Sequence, residues 1–178
     1  YHHAADGEPI AQVTSGDWVV DEISGVDAET GTVWFEGWTE DPTQCHLYSV
    51  PLSGGEPVQI TSGEGWWSAT VNSGGTAFIG GYSDPATLPQ TALYDMSGER
   101  IRWLEENALV EGHPYFPYVN DHITPEFGTI EAEDGTPLHW MMYLPAGFDP
   151  DETYPAIVYT YGGPHVQQVR RSWAGGTP

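Results

Sequence analysis

A repeat of 46 to 47 residues constrains this chain more than any other feature. The segment YHHAADGEPI at residues 1–10 realigns, with one extra glycine, on YSVPLSGGEPV at 48–58, and more loosely on YDMSGE at 94–99. Tyr1, Tyr48 and Tyr94 head the three copies, 47 and then 46 residues apart. QVTSG at 12–16 returns as QITSG at 59–63, and the strand-like TVWFEGW at 32–38 is echoed by TAFIGGY at 76–82. A unit of this length, built from short strands and glycine turns, has the size of a four-stranded β-propeller blade.

Within the clearest copy, strands are expected from Trp18 to Ile23, from Thr32, from Leu47 to Val50 and from Val58 to Ile60. Tight turns at 28–31 (AETG), 53–55 (SGG) and 72–75 (NSGG) separate strands into an antiparallel meander. Tyr1-His2-His3 reads as the interior of a strand. A β-sandwich with chance similarity is the competing architecture. Two blades cannot close a propeller, so further blades are expected upstream.

Composition excludes several classes of function. Hydrophobic residues make up 39% and aromatics 13%, enough for a packed core. Twenty-six acidic residues face only four basic ones, Arg100, Arg102, Arg170 and Arg171, for a net charge of −22. Such a field repels phosphate backbones and anionic lipid, so neither nucleic acid nor a membrane surface is expected as a partner. The acidic surface serves solubility or attracts cationic peptides. Cys45 is the single cysteine and cannot form an internal disulfide. No apolar window is long enough to span a membrane, and no secretory leader is readable. His2-His3 lacks metal-ligand spacing and no Gly-rich phosphate loop follows a strand, so neither metal nor cofactor is expected.

The repeat fades after Leu104. Residues 104–129 carry Pro114, Pro117 and Pro125 without periodicity and read as a connection packed through Tyr115, Phe116, Tyr118 and Phe127. A β-hairpin follows, with 128–132 and 138–144 flanking the turn at 133–136. The run AIVYTY at 156–161, introduced by Pro155 and broken at Gly162-Gly163-Pro164, has the pattern of a strand buried on both faces.

The hairpin, the apolar run and YGGPH at 161–165 closely resemble the opening of the hydrolase domain in the prolyl oligopeptidase family, most closely its dipeptidyl peptidase IV-like branch. The fold implied is mostly β: last blades of a propeller over 1–104, an interdomain connection over 105–128, and from 129 to 178 the start of an α/β hydrolase domain. In that family the residue before Gly-Gly-Pro donates to the oxyanion; here it is Tyr161. Gly162 and Gly163 then form the oxyanion loop, giving the backbone freedom to turn beside the substrate carbonyl. His165 lines that loop without a catalytic step. Tyrosine at this position distinguishes the dipeptidyl peptidase-like branch from acylaminoacyl peptidases, which usually carry histidine.

Acyl transfer also needs a nucleophile and an oriented base. No G-x-S-x-G occurs in the sequence, and the seven histidines precede the point where that serine would appear. His46, His113, His122 and His139 are therefore read as packing or polar residues, and Glu105-Glu106 as a solvated turn rather than a binder of the substrate's amino terminus. The resemblance implies a serine exopeptidase that releases X-Pro or X-Ala dipeptides from peptide substrates. It admits a homodimer and a periplasmic or secreted setting, and these 178 residues alone are expected to be inactive. A related endopeptidase or acylaminoacyl peptidase, and a non-catalytic propeller binding protein, are the alternatives.

Overall fold

The structure, a computed structural model, describes residues 1–163 and 166–174. They form two compact units, Tyr1–Asn107 together with the described residues from Arg171, and Ala108–Arg170.

The first unit is built of antiparallel sheets in repeat order. Strands β1 (His2–His3) and β2 (Pro9–Ala11) pair as a two-stranded sheet. A four-stranded meander follows: β3 (Val19–Asp27), β4 (Thr32–Trp38), β5 (His46–Pro51) and β6 (Val58–Gln59). A second meander has the same order: β7 (Trp66–Val71), β8 (Ala77–Asp84), β9 (Thr87–Asp95) and β10 (Arg100–Glu105). Tyr48 lies on β5 and Tyr94 on β9, the third strand of each meander. The sequence repeat is thus the offset between corresponding strands of successive blades.

Strand β4 shows why the blades stack. Its side chains alternate faces, and both faces are covered. Val33 and Phe35 join Tyr48 and Val50 in one cluster, capped by Val13, Trp18 and Leu52. The Phe35 and Tyr48 rings stack at 5.5 Å, with Trp18 edge-on to Tyr48 at 4.8 Å. On the opposite face, Trp34 joins Leu47, Trp67, Val71, Phe78, Ala92 and Tyr94 in a cluster shared with the second meander. Burying such rings contributes roughly 1.5–3 kcal/mol each.

Polar links reinforce the contact. Cys45 N–H donates to the Gly65 carbonyl at 3.2 Å, and Trp67 N–H to the Cys45 carbonyl at 3.0 Å. The Glu36 carboxylate accepts from Ala69 N–H of β7 at 2.8 Å. Gly75, in the turn expected at 72–75, has φ +59° and leaves no room for a Cβ beside the Trp34 ring.

The second unit opens with a 3₁₀ turn, Phe116–Asp121, that the sequence reading did not foresee. Phe116 and Tyr118, expected to pack, are exposed; Tyr115 instead sits against His122, its hydroxyl 2.9 Å from Nδ1. The hairpin forms as expected, β11 (Glu126–Glu131) pairing antiparallel with β12 (Pro137–Met142). The buried strand expected at 156–161 does not form: residues 153–163 carry no strand and Ile157 is 91% exposed. A strand of a parallel sheet takes its hydrogen bonds from flanking strands and its cover from helices. The described residues supply neither to this segment.

Candidate functional site

Tyr161 ends the extended apolar segment. The residue is 47% exposed, and its phenol O–H is a hydrogen-bond donor. The ring folds back over the next turn of chain, and a Cβ on Gly163 would strike the Tyr161 hydroxyl and ring. Gly162 has open space around it. Neither glycine is among those with φ in the left-handed region, so the need for glycine at 163 comes from side-chain room rather than backbone conformation. Pro164 and His165 lie outside the described residues. A phenol O–H can stabilise a developing oxyanion, provided that a carbonyl is presented to it.

Sequence reasoning missed a polar seat at the ends of the blades. Arg171 donates its backbone N–H to the Thr43 carbonyl at 2.7 Å and its Nε–H to Thr43 Oγ1 at 3.2 Å. Its guanidinium lies 3.5 Å from Glu64 and 3.9 Å from Asp41. Asp41 is itself organised, accepting from Thr43 N–H, the Thr43 hydroxyl and Gln44 Nε2. Burial pushes the Asp41 carboxyl up, but those hydrogen bonds and Arg171 outweigh it and hold the group below its ordinary value. Two residues on, Trp173 N–H donates to Ser83 Oγ of β8 at 3.2 Å. The described residues from Arg171 therefore group with the blades. The available signal was charge: one of only four cations in a chain with 26 acids.

Three further titratable groups of the blades, His46, Cys45 and Glu36, are buried. His46 is buried with Nδ1 3.2 Å from Thr61 Oγ1, and burial pushes its pKa down, favouring the neutral ring. The Cys45 thiol is wholly buried and pushed up to about 12 by that burial and the nearby Glu36 and Asp21, so it is no nucleophile. Glu36, also buried, is raised by desolvation, with hydrogen bonds from Ala69 N–H and the Ser24 hydroxyl pulling it partly back. Glu105 ends β10, and its carboxylate accepts from Asn107 N–H at 3.0 Å.

Successive four-stranded meanders, stacked through a shared aromatic cluster, define a β-propeller protein. The family described as the dipeptidyl peptidase IV (DPP IV) N-terminal region matches residues 1–89, half of the sequence, and the chain belongs to it. Among curated relatives, a probable dipeptidyl-aminopeptidase B of Aspergillus fumigatus is 31% identical over 97% of this chain and 19% of its own. A probable dipeptidyl peptidase 4 of Aspergillus flavus is 32% identical over 94% of this chain and 21% of its own. The chain thus spans about a fifth of the length of these relatives. The crystal structure of Porphyromonas gingivalis dipeptidyl peptidase 4 superposes with a TM-score of 0.79 over 97% of this chain and 24% of that one. At 24% identity that likeness speaks for the fold.

Proposed function

We propose that these residues belong to a serine peptidase of the dipeptidyl peptidase IV type, which releases N-terminal dipeptides of X-Pro or X-Ala type through an acyl-enzyme. The observation that carries this reading is that relatives named as dipeptidyl peptidases align across nearly the whole chain, through the Tyr161 segment as well as the blades. In this reading, residues 1–104 are propeller blades, 105–128 the connection and 129–178 the opening of an α/β hydrolase domain. The serine nucleophile, its histidine base and the aspartate that orients it lie outside these 178 residues, which alone would not turn over substrate.

Tyr161 is assigned the oxyanion. Its phenol is a neutral donor that needs no proton transfer, and its hydrogen bond strengthens as the carbonyl oxygen gains charge in the transition state. Gly163 leaves room for the ring and Gly162 keeps the approach unobstructed. The test is Tyr161→Phe in the full-length enzyme, assayed on an X-Pro chromogenic dipeptide. The expected result is a fall in kcat of about 10²–10³ with KM and thermal midpoint little changed. Unchanged kcat removes Tyr161 from the mechanism. Preference for amino-terminally blocked peptides would replace the exopeptidase reading with the acylaminoacyl or endopeptidase one.

A further inference from the structure

The two glycines that follow Tyr161 differ in what a side chain would meet. A Cβ on Gly162 would have no heavy atom within 4 Å. A Cβ on Gly163 would strike the Tyr161 hydroxyl and lie 2.6 Å from Cζ and 2.9 Å from Cε1 of the same ring. The three nearest atoms all belong to that one side chain. A Cβ at 163 and the ring in its present place therefore exclude each other.

The asymmetry is that of an extended chain, in which residues two apart face the same way and the residue between them faces the other. A side chain at 161 that leans along the chain reaches over position 163 and misses position 162. An aromatic side chain has only a few staggered wells at χ1. With a Cβ at 163 the occupied well is closed, and the ring has to turn to another, which carries the hydroxyl several ångströms away. What has to yield is the far end of a mobile, 47% exposed side chain, so the backbone can keep its path. Neither glycine has φ in the left-handed region, so a Cβ at 163 brings no backbone strain of its own.

We propose that Gly163 is a positioning residue for Tyr161: by lacking a side chain it holds open the rotamer from which the phenol serves the oxyanion. This inference rests on the oxyanion role proposed above for Tyr161. A donor to an oxyanion acts at about 2.7–3.1 Å, and displacement by about 1 Å can cost a hundredfold in rate. The glycine would thus act on kcat through the tyrosine hydroxyl, without touching substrate and without contributing to the stability of the fold.

The test is a double-mutant cycle in the full-length enzyme, with Gly163→Ala, Tyr161→Phe and the pair assayed on an X-Pro chromogenic dipeptide. Gly163→Ala is expected to lower kcat by about 10- to 100-fold, with KM and thermal midpoint little changed. In the Tyr161→Phe background, where no hydroxyl remains to be displaced, the same substitution should change kcat by less than about twofold. A structural role would instead multiply the two losses. If Tyr161→Phe lowers kcat while Gly163→Ala does not, the positioning role falls and the oxyanion role stands. If Tyr161→Phe leaves kcat unchanged, both fall. Multiplying losses, or a Gly163→Ala protein that fails to fold by circular dichroism, also overturn the proposal, since the Cβ would then be acting on the framework and not on the ring.

Discussion

Two runs in this chain read alike and end differently. TVWFEGW at 32–38 and AIVYTY at 156–161 are both rich in β-branched and aromatic residues, and either could be a strand covered on both faces. The first is strand β4, hydrogen-bonded on both edges, with Phe35 2% exposed. The second is extended and unpaired, with Val158 82% exposed. Apolar character makes a segment a candidate for burial, and neighbouring strands decide the outcome. Strand β4 finds them within twenty residues on either side, in β3 and β5.

The largest test of this contrast is Phe35→Ala, which removes a ring packed between Trp18, Tyr48 and Val33. It should cost about 3–5 kcal/mol in urea unfolding. A loss below about 1 kcal/mol would mean that β4 is not the packed centre described above.

A smaller effect tests the polar side of β4. Glu36 has its folded-state pKa raised above the ordinary 4.5, chiefly by desolvation, so the folded chain holds this proton more tightly than the unfolded one. Its contribution to stability is therefore fully present below the unfolded value and lost as pH rises through the folded one. Glu36→Gln, which keeps an acceptor for Ala69 N–H, should remove that decline and change stability near neutral pH by less than about 1 kcal/mol, in the neutral or stabilising direction. A loss that grows with pH would reverse the assignment.

The smallest effect belongs to the other run. Ile157→Ala should shift the unfolding midpoint of the chain by no more than about 0.5 kcal/mol equivalent, as at other solvated positions. The same substitution in the full-length protein, where the proposed hydrolase sheet would flank this segment, should cost about 2–5 kcal/mol. Equal and small losses in both settings would break the proposed domain reading.

Much of the fold was legible because it is local and repeated. Each meander joins neighbours in sequence through turns whose residues announce them, as with Ala28-Glu29-Thr30-Gly31 between β3 and β4 and Glu133-Asp134-Gly135-Thr136 between β11 and β12. The candidate site was legible only as a motif. Tyr161-Gly162-Gly163 named the residues, but the fold of the phenol over Gly163 is a matter of rotamer and backbone path that no residue type encodes. The Arg171 seat escaped because its partners, Asp41, Thr43 and Glu64, are more than a hundred residues away in sequence.

The amino-acid sequence by itself determined the repeat, the strand order within each blade, the hairpin and the identity of the residues before Gly-Gly-Pro. These depend on turn chemistry and side-chain alternation, which act over a few residues. Only the tertiary structure decided which apolar runs are buried and where Arg171 anchors. Burial and charge pairing are properties of surfaces brought together, and those surfaces exist only once the blades have stacked.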